Sequence, residues 1–484
     1  MDNNSNNNNQ RTLGVFPLMM FAVGVTLASG VFSLSGDFAA SGASTAGTLL
    51  GWLVCGIGMF GLCMAFFKLS VVKKELTSGL AAYGRVGFGE YIGFNVAWGY
   101  WISAILAIGA FVSLLFASLS HFFSFLGEGT NLASFIIASL LVWAFAVVVL
   151  QGVNESIIIN VFVVLAKAVP IVVAVLAVIL TGAFRGEIFM DHFTEGIDGQ
   201  TLFQQIKSTT FVTAWTFVGI EGAVVVSGRG KTTKISGQAT VGAFLTLFTL
   251  YVIISVLSMG VMTNAELAEL DTPSLGGVLG AVVGEWGVKL VDIGVIVSLV
   301  GALFTYAILN TDGCYGPADQ GMFPKVFTKK NKKGAPTWSV IAAAILSQAL
   351  LVVMFLNNAS FQACYALSTA GIMVPYVVSG LYYLKVVIKG EDKGIEGAGN
   401  NFTRWLFAII GAVYGVWLLY SVGWVYWMIL AILYTPGCIF HFIARKEQGK
   451  KPFDKNWEYV LFVALVILCV VAIVLTAQGK VAWF

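Results

Sequence analysis

The sequence predicts an all-α polytopic membrane protein with about thirteen membrane-spanning helices. Hydrophobic residues make up 58% of the 484 residues and charged residues only 11%, whereas soluble domains average roughly 45–50% apolar and about 25% charged residues. The apolar residues form long runs with charges at their ends, and a spanning helix needs about 20 such residues. These observations exclude a soluble enzyme.

Each predicted span is one apolar run. In chain order the runs cover 13–36, 45–69, 88–122, 132–151, 156–182, 203–228, 236–262, 284–315, 337–357, 361–386, 403–422, 424–444 and 456–477. Most Lys and Arg residues lie in the loops on one side of this arrangement. The positive-inside rule places that side, with the polar N-terminal tail 1–12, in the cytoplasm. An odd number of spans then places the C-terminus outside.

Spans 1 and 6 each contain a glycine-rich interruption at matching depth, at 24–31 and 218–223. The two interruptions lie five spans apart. Five is odd, so a second copy of a five-helix unit enters the membrane from the opposite side, which is the pattern of inverted repeats. The sequence therefore predicts repeats at 13–182 and 203–388, followed by additional spans in 403–477.

An interrupted helix at mid-depth leaves backbone groups that are costly in lipid unless a cavity or ligand satisfies them. Unpaired N–H groups at a half-helix start attract a carboxylate, and unpaired carbonyls attract an ammonium. The alternative is that these glycines only permit close helix packing, as is expected of Gly47 and Gly51 in span 2. Glu221 favours the functional interpretation, because a carboxylate inside a span is expensive and generally functional.

Several short motifs resemble those of the amino acid/polyamine/organocation superfamily, and within it the basic amino acid/polyamine antiporters. They occur in the family's order at 27–32 (LASGVF), 75–79 (ELTSG), 98–101 (WGYW), 215–221 (WTFVGIE), 227–229 (SGR) and 319–324 (DQGMFP). The resemblance covers spans 1 to 12, and span 13 is an addition of arginine/ornithine-type members. It implies a LeuT-like 5+5 inverted repeat with discontinuous spans 1 and 6, in a bacterial inner membrane.

The resemblance also implies a substrate site. Ser29 and Gly30 would bind the substrate α-carboxylate, and carbonyls near Trp215 and Val218 would bind the α-ammonium. Trp215 would cover the bound substrate, and Glu221 would gate its path. The other substrate-contacting positions that it implies are Thr26, Ala28, Ser103, Ala104, Ile108, Tyr306 and Ser368.

Two more ionisable residues lie within spans. Lys167 is mid-span in span 5, where an uncompensated ammonium costs roughly 2.5–3.5 kcal/mol. The resemblance implies a lysine in this helix where sodium-coupled relatives of the same fold bind sodium, so we interpret Lys167 as a fixed or titrating cation; the alternative is a structural pairing with carbonyls of span 1. Asp312, near the inner end of span 8, either pairs with Lys167, lines the inner path or reaches the cytoplasmic interface.

Two departures from the family bear on the substrate. Ile108 replaces an asparagine of the arginine exchangers, and Tyr306 replaces a tryptophan. A hydrocarbon side chain cannot hydrogen-bond a guanidinium, so histidine/histamine exchange is as compatible with the sequence as arginine/ornithine exchange.

The sequence thus predicts a secondary antiporter that exchanges an external basic or histidine-like amino acid for its metabolic product. The alternatives are a proton-coupled amino acid permease of the same fold and a transport-like sensor. No Walker motif is present, so ATP is not expected to drive transport. The cysteines and histidines lack metal-ligand spacing, and no metal or other cofactor is expected. The expected partners are the amino acid, its product amine, the lipid bilayer and, as one option, a second copy of the chain; nucleic acid is not expected.

Overall fold

The computed structural model is helical throughout the residues that it describes, apart from turns and one isolated bridge. These residues are 14–76, 79–127, 129–152, 157–196, 199–221 and 232–481, without the side chains of 25, 157–163, 166 and 233. Within them, nine helical segments are long and apolar enough to cross a membrane. The predicted all-α membrane fold is confirmed at this level.

The helices are numbered in chain order. They are α1 (Val15–Thr26), α2 (Gly30–Ala40), α3 (Thr45–Val72), α4 (Leu80–Phe88), α5 (Glu90–Ser120), α6 (Leu132–Leu150), α7 (Ile157–Thr181), α8 (Gly186–Met190), α9 (Leu202–Thr216), α10 (Thr233–Val261), α11 (Asn264–Ala268), α12 (Ser274–Val283), α13 (Glu285–Asp319), α14 (Thr337–Asn357), α15 (Phe361–Lys389), α16 (Asn401–Tyr434), α17 (Cys438–Glu447) and α18 (Asn456–Ala477). Short 3₁₀ turns lie at Ser124–Leu126, Lys325–Thr328 and Thr435–Gly437.

Polar capping residues set the start of several long helices. Ser44 accepts a hydrogen bond from the Gly47 N–H at the start of α3, and Asn131 caps α6 in the same way. Thr201 and Gln204 form a capping box at the start of α9. Each cap satisfies a backbone donor that the first helical turn leaves unpaired. Residues next to each helix start therefore determine these boundaries.

Gly423 interrupts α16 with a φ of 77°. Glycine adopts this left-handed region without the steric cost that other residues meet. The predicted boundary between the spans at 403–422 and 424–444 coincides with this residue.

The chain divides into two compact units. The first unit is Met1–Glu75, Ser156–Leu299 and Tyr383–Tyr414, and the second is Leu76–Glu155, Val300–Tyr382 and Gly415–Phe484. Each unit takes segments from both predicted repeats, 13–182 and 203–388. The compact units are therefore distinct from the sequence repeats, which stay a prediction.

In the first unit, α3 packs closely against α9 through two glycines one turn apart. A Cβ at Gly47 would collide with the side chain of Gln205, and one at Gly51 would collide with Thr209. The Gln205 amide oxygen also accepts hydrogen bonds from the Ser44 N–H and hydroxyl, at 3.0 and 2.7 Å. The packing role expected of Gly47 and Gly51 is thus present, and it fixes the helix that leads into the second interruption.

Also in the first unit, residues 263–283, which the apolar pattern left outside the spans, contain the two short helices α11 and α12. Val278 of α12 and Leu267 of α11 belong to one apolar cluster with Ala39 of α2. The Ser274 hydroxyl accepts a hydrogen bond from the Gly36 N–H at 3.0 Å. These contacts hold α2 in place immediately after the first interruption.

Candidate functional site

The first interruption comprises residues 27–29, between α1 and α2. It is narrower than the predicted 24–31, because helical hydrogen bonding continues to the end of α1. The Leu27 N–H donates to the Val23 carbonyl at 2.8 Å, and Gly30 already begins α2. Only three residues, Leu27, Ala28 and Ser29, therefore separate the two half-helices.

Two side chains of the first unit bind carbonyls of this segment. The Lys167 ammonium donates to the Gly24 carbonyl at 2.7 Å, and Lys167 is only 2% exposed. The Ser298 hydroxyl donates to the Ala28 carbonyl at 3.0 Å. The pairing of Lys167 with span 1 is therefore present, and Ser298 is a contact that the sequence analysis missed because a serine in an apolar helix carries no distinguishing signal.

Ser29 occupies the N-cap position of α2 and is 1% exposed. Its hydroxyl has no hydrogen-bond partner among the residues that the structure describes, whereas the Thr26 hydroxyl donates to the Ala22 carbonyl at 3.0 Å. A helix N-terminus presents unpaired N–H groups and a partial positive charge. The start of α2 can therefore bind an anionic group, with the Ser29 hydroxyl as an additional donor.

The second interruption begins after Thr216, where α9 ends. Gly219 has a φ of 99°, and its N–H donates to Glu221 Oε2 at 3.2 Å. Glu221 is 5% exposed, so its carboxylate lies inside the protein and closes this turn. Residues 222–231, including the rest of the predicted interruption and the motif at 227–229, lie outside the described residues.

The start of α2 and the end of α9, which flank the two interruptions, meet at Gly30. A Cβ on Gly30 would lie 3.1 Å from Trp215 Cδ1 and 3.1 Å from Thr216 Cγ2. The indole of Trp215, 5% exposed, therefore lies against the start of α2, and the Trp215 carbonyl accepts a hydrogen bond from the Val218 N–H at 3.1 Å. Only a glycine at position 30 permits this approach without displacing a neighbour.

In the second unit, Ser103 of α5 and Ser368 of α15 bond to each other reciprocally. The Ser103 hydroxyl donates to the Ser368 carbonyl at 2.7 Å, and the Ser368 hydroxyl donates to the Ser103 carbonyl at 2.8 Å. Both residues are buried, so their hydroxyls join the two helices. Tyr306 of α13 contacts Phe111 of α5 edge to face, with ring centroids 4.7 Å apart.

Asp312, also in the second unit, is exposed on α13. Its electrostatic partner is Lys330 in the following loop. A hydrogen bond to Tyr315 raises the pKa of Lys330, and Asp319 and Asp312 act in the same direction. This placement beside the loop leaves both the inner path and the cytoplasmic interface as predictions for Asp312.

Ile108 lines a cavity of about 30 Å³ within the second unit. Asn310, which also lines it, is 1% exposed, and its side-chain Nδ2 donates to the Ala104 carbonyl at 3.3 Å. The sequence analysis did not select Asn310, although an amide inside an apolar span is itself a signal for a functional position.

In the described parts of the chain, no three His, Cys, Asp or Glu residues are grouped so that they could hold a metal ion. The six cysteines are buried and unpaired. Around the two interruptions, the polar groups are helix ends, hydroxyls and single charged side chains. Such groups suit the binding of a small polar molecule.

The chain matches the amino acid permease family over residues 13–426. It is 36% identical to the arginine/ornithine antiporter of Pseudomonas aeruginosa over 467 residues, 94% of this chain and 95% of the relative. It is 31% identical to the arginine/agmatine antiporter of Chlamydia pneumoniae over 485 residues, 99% of both chains. The corresponding protein of Chlamydia abortus is 30% identical over 480 residues, 97% of this chain and 98% of its own.

Proposed function

This chain belongs to the amino acid permease family, and on that premise we propose that it is a secondary antiporter for basic or histidine-like amino acids. Membership confirms the resemblance seen in the motifs and makes the protein a multi-pass membrane transporter, not an enzyme. The observation that carries the proposal is the meeting of two interrupted helices at Gly30, beside the unpartnered Ser29 hydroxyl. Secondary transporters bind their substrates at such paired interruptions.

In the proposed site, the first unit binds the amino acid backbone. The α-carboxylate accepts hydrogen bonds from Ser29 and from the first turn of α2, which begins at Gly30. The carbonyls around Trp215 and Val218 bind the α-ammonium, and the indole of Trp215 covers the ligand. The 5% exposure of Trp215 supports this role, because the ring is already excluded from solvent.

From the family resemblance alone, Ala104, Ile108 and Tyr306 are proposed as contacts of the substrate side chain. The names of the relatives favour arginine with ornithine or agmatine as the exchanged pair. Histidine with histamine is the second candidate, because the hydrocarbon side chain of Ile108 cannot hydrogen-bond a guanidinium.

The proposed mechanism is alternating access by two inverted repeats, 13–182 and 203–388, with the segment 403–477 as an addition. The proposed orientation, with the N-terminus in the cytoplasm, rests on the distribution of Lys and Arg, and the proposed bacterial inner membrane rests on the family resemblance. A second copy of the chain is proposed as an optional partner of the transporter. A proton-coupled permease of the same fold is the alternative function.

The central prediction is obligate exchange. Uptake of labelled arginine or histidine into proteoliposomes preloaded with a partner compound should be at least about tenfold faster than uptake into empty vesicles. The reason is that a bound ligand lowers the free-energy cost of the conformational change that moves the site from one side of the membrane to the other. Equal uptake into both would contradict the antiporter proposal. Accumulation in empty vesicles that depends on an imposed pH gradient would identify the proton-coupled alternative.

Gly30→Ala should raise the dissociation constant of the substrate about three- to tenfold without lowering the yield of folded protein. The added Cβ would lie 3.1 Å from Trp215 Cδ1, closer than normal packing allows, so the indole must move by a few tenths of an ångström. Equilibrium binding of labelled substrate in detergent measures this. Gly316→Ala is the matched control, because nothing lies within 4 Å of a Cβ there; equal losses in both variants would remove the role given to Gly30.

A further inference from the structure

Ser29, the N-cap residue of α2, begins a buried polar face of this helix in the first unit. Ser29, Ser33 and Asp37 follow one another at intervals of four residues and are 1%, 1% and 3% exposed. Side chains four positions apart lie on the same side of a helix, so the three residues form one row, which we call the polar stripe of α2. Ala40, the last residue of α2, is exposed. The stripe therefore runs from the first interruption to within one turn of the protein surface.

The contacts of α2 with two neighbouring helices of the first unit flank the polar stripe. A Cβ at Gly30 would lie 3.1 Å from Trp215 Cδ1 of α9, and a Cβ at Gly36 would lie 2.9 Å from Ser274 Cβ of α12. Successive residues of an α-helix are rotated by about 100°, so the sector between Gly30 and Gly36 is centred on Ser33. The stripe thus has a side of the helix of its own, separate from those two contacts.

Two hydroxyls of the stripe lack hydrogen-bond partners among the residues that the structure describes. These are Ser29 Oγ and Ser33 Oγ, and both side chains are almost fully buried. Buried polar atoms are generally paired with protein or water, so an orphaned one calls for an explanation. A carboxylate within a span, such as that of Asp37, commonly marks a substrate or ion path. A polar ligand that moves along the stripe would account for both observations.

The carboxylate of the stripe and the proposed carboxylate-binding site lie at opposite ends of it. At 1.5 Å per residue, Asp37 is about 12 Å from Ser29 along the helix axis, and Ser33 is about 6 Å from each. Asp37 would therefore meet a ligand at a different stage of transport from Ser29. Its negative charge attracts a cationic ligand and repels an anionic one.

We propose that Ser33 and Asp37 form an entry subsite for the cationic side chain of a basic amino acid, which binds there before its α-carboxylate reaches Ser29. The inference rests on the proposed function and adds a step at which the charge of the substrate is selected. The Asp37 carboxylate pairs with an ammonium, guanidinium or imidazolium group, and the Ser33 hydroxyl accepts a hydrogen bond from the same group. A neutral amino acid of similar shape lacks this pairing and enters less readily.

The test is competition for exchange in proteoliposomes containing the full chain, with arginine and its neutral analogue citrulline as external ligands. The wild type should prefer arginine, and Asp37→Asn should reduce this preference about fivefold or more, because the amide keeps the shape of the carboxylate but not its charge. The half-saturation concentration of arginine should rise, with exchange at saturating arginine nearly unchanged. A purely structural carboxylate would instead lower saturated exchange or weaken both ligands equally.

Ser35→Ala is the matched control. Ser35 lies on the opposite side of α2 from Ser33, is 2% exposed, and donates from its hydroxyl to the Ser258 hydroxyl of α10 at 2.7 Å. This variant removes a buried hydroxyl of the same helix outside the stripe, so its preference for arginine over citrulline should equal that of the wild type. A loss of preference as large as in Asp37→Asn would overturn the assignment to the stripe.

Ser33→Ala decides the question if Asp37→Asn does not fold. Loss of this hydroxyl should reduce the preference for lysine over norleucine, which lacks the ammonium, about threefold or more. An unchanged preference in either folded variant, or equal weakening of charged and neutral ligands, would overturn the entry subsite and leave buried water as the partner of the two hydroxyls. Absence of any amino acid exchange by the wild type would instead overturn the proposed function.

Discussion

Lys167→Met is expected to slow exchange by about tenfold to hundredfold while membrane insertion is preserved. The Lys167 ammonium donates to the Gly24 carbonyl at 2.7 Å, and a hydrogen bond to a charged group is worth about 1.5–3 kcal/mol, with about 1.4 kcal/mol per factor of ten. Removal of a mid-span ammonium lowers the cost of insertion by roughly 2.5–3.5 kcal/mol. Counterflow rates and the yield of monodisperse protein measure the two effects separately.

Lys289→Met is the matched control for this variant. Lys289 pairs with Glu285 at 2.7 Å, but both side chains are at least half exposed, and such pairs contribute little. Equal slowing in both variants would show that loss of charge alone, without the contact to Gly24, explains the effect.

The same contact predicts exchange that is independent of sodium. An ammonium beside the interruption of span 1 supplies the positive charge that sodium would bring, and a second cation there would be repelled. Rates in sodium and in choline, at equal ionic strength and pH, should agree. A steep rise in sodium would contradict the interpretation of Lys167 as a fixed cation.

Local chemistry explains which parts of the molecule the sequence could predict. Glycines at 24–31 and 218–223 indicated where two helices are interrupted, because no other residue tolerates positive φ or such close approach as readily. Caps such as Ser44 and Thr201 fixed helix starts through bonds to residues only three positions away. These signals depend on neighbours in sequence, so they could be recognised before any packing was known.

The remaining features depend on how each helix is rotated against its neighbours. Ser103 and Ser368 were expected to line a pocket, and their reciprocal bonds exist only because α5 packs against α15. Ser298 acquires its role through the Ala28 carbonyl, 270 residues away in the chain. Side chains of this kind resemble ordinary helix residues in the sequence, since a rotation of one helix by a single residue position would aim them elsewhere.

Glu221 and Trp215 should affect different steps of exchange. Trp215→Ala should raise the substrate dissociation constant by about tenfold or more, because it removes the ring that lies against Gly30 and covers the proposed ligand. Glu221→Ala should change that constant little and slow maximal exchange about a hundredfold. The Glu221 carboxylate accepts a hydrogen bond from the Gly219 N–H within its own turn, so we expect its removal to disturb the shape of the interruption more than the ligand contacts.

Glu221→Gln separates the two properties of this carboxylate. The amide keeps an acceptor for the Gly219 N–H, 3.2 Å from Oε2, but it can neither carry charge nor take up a proton. Recovery of exchange in Glu221→Gln would assign the role to the hydrogen bond, and exchange as slow as in Glu221→Ala would assign it to charge or protonation. Dissociation constants and saturated exchange rates, measured on each variant in parallel, distinguish these results. Equal changes of both quantities in Trp215→Ala and Glu221→Ala would show that the two residues act as one structural element, because a lid and a gate must affect binding and turnover differently.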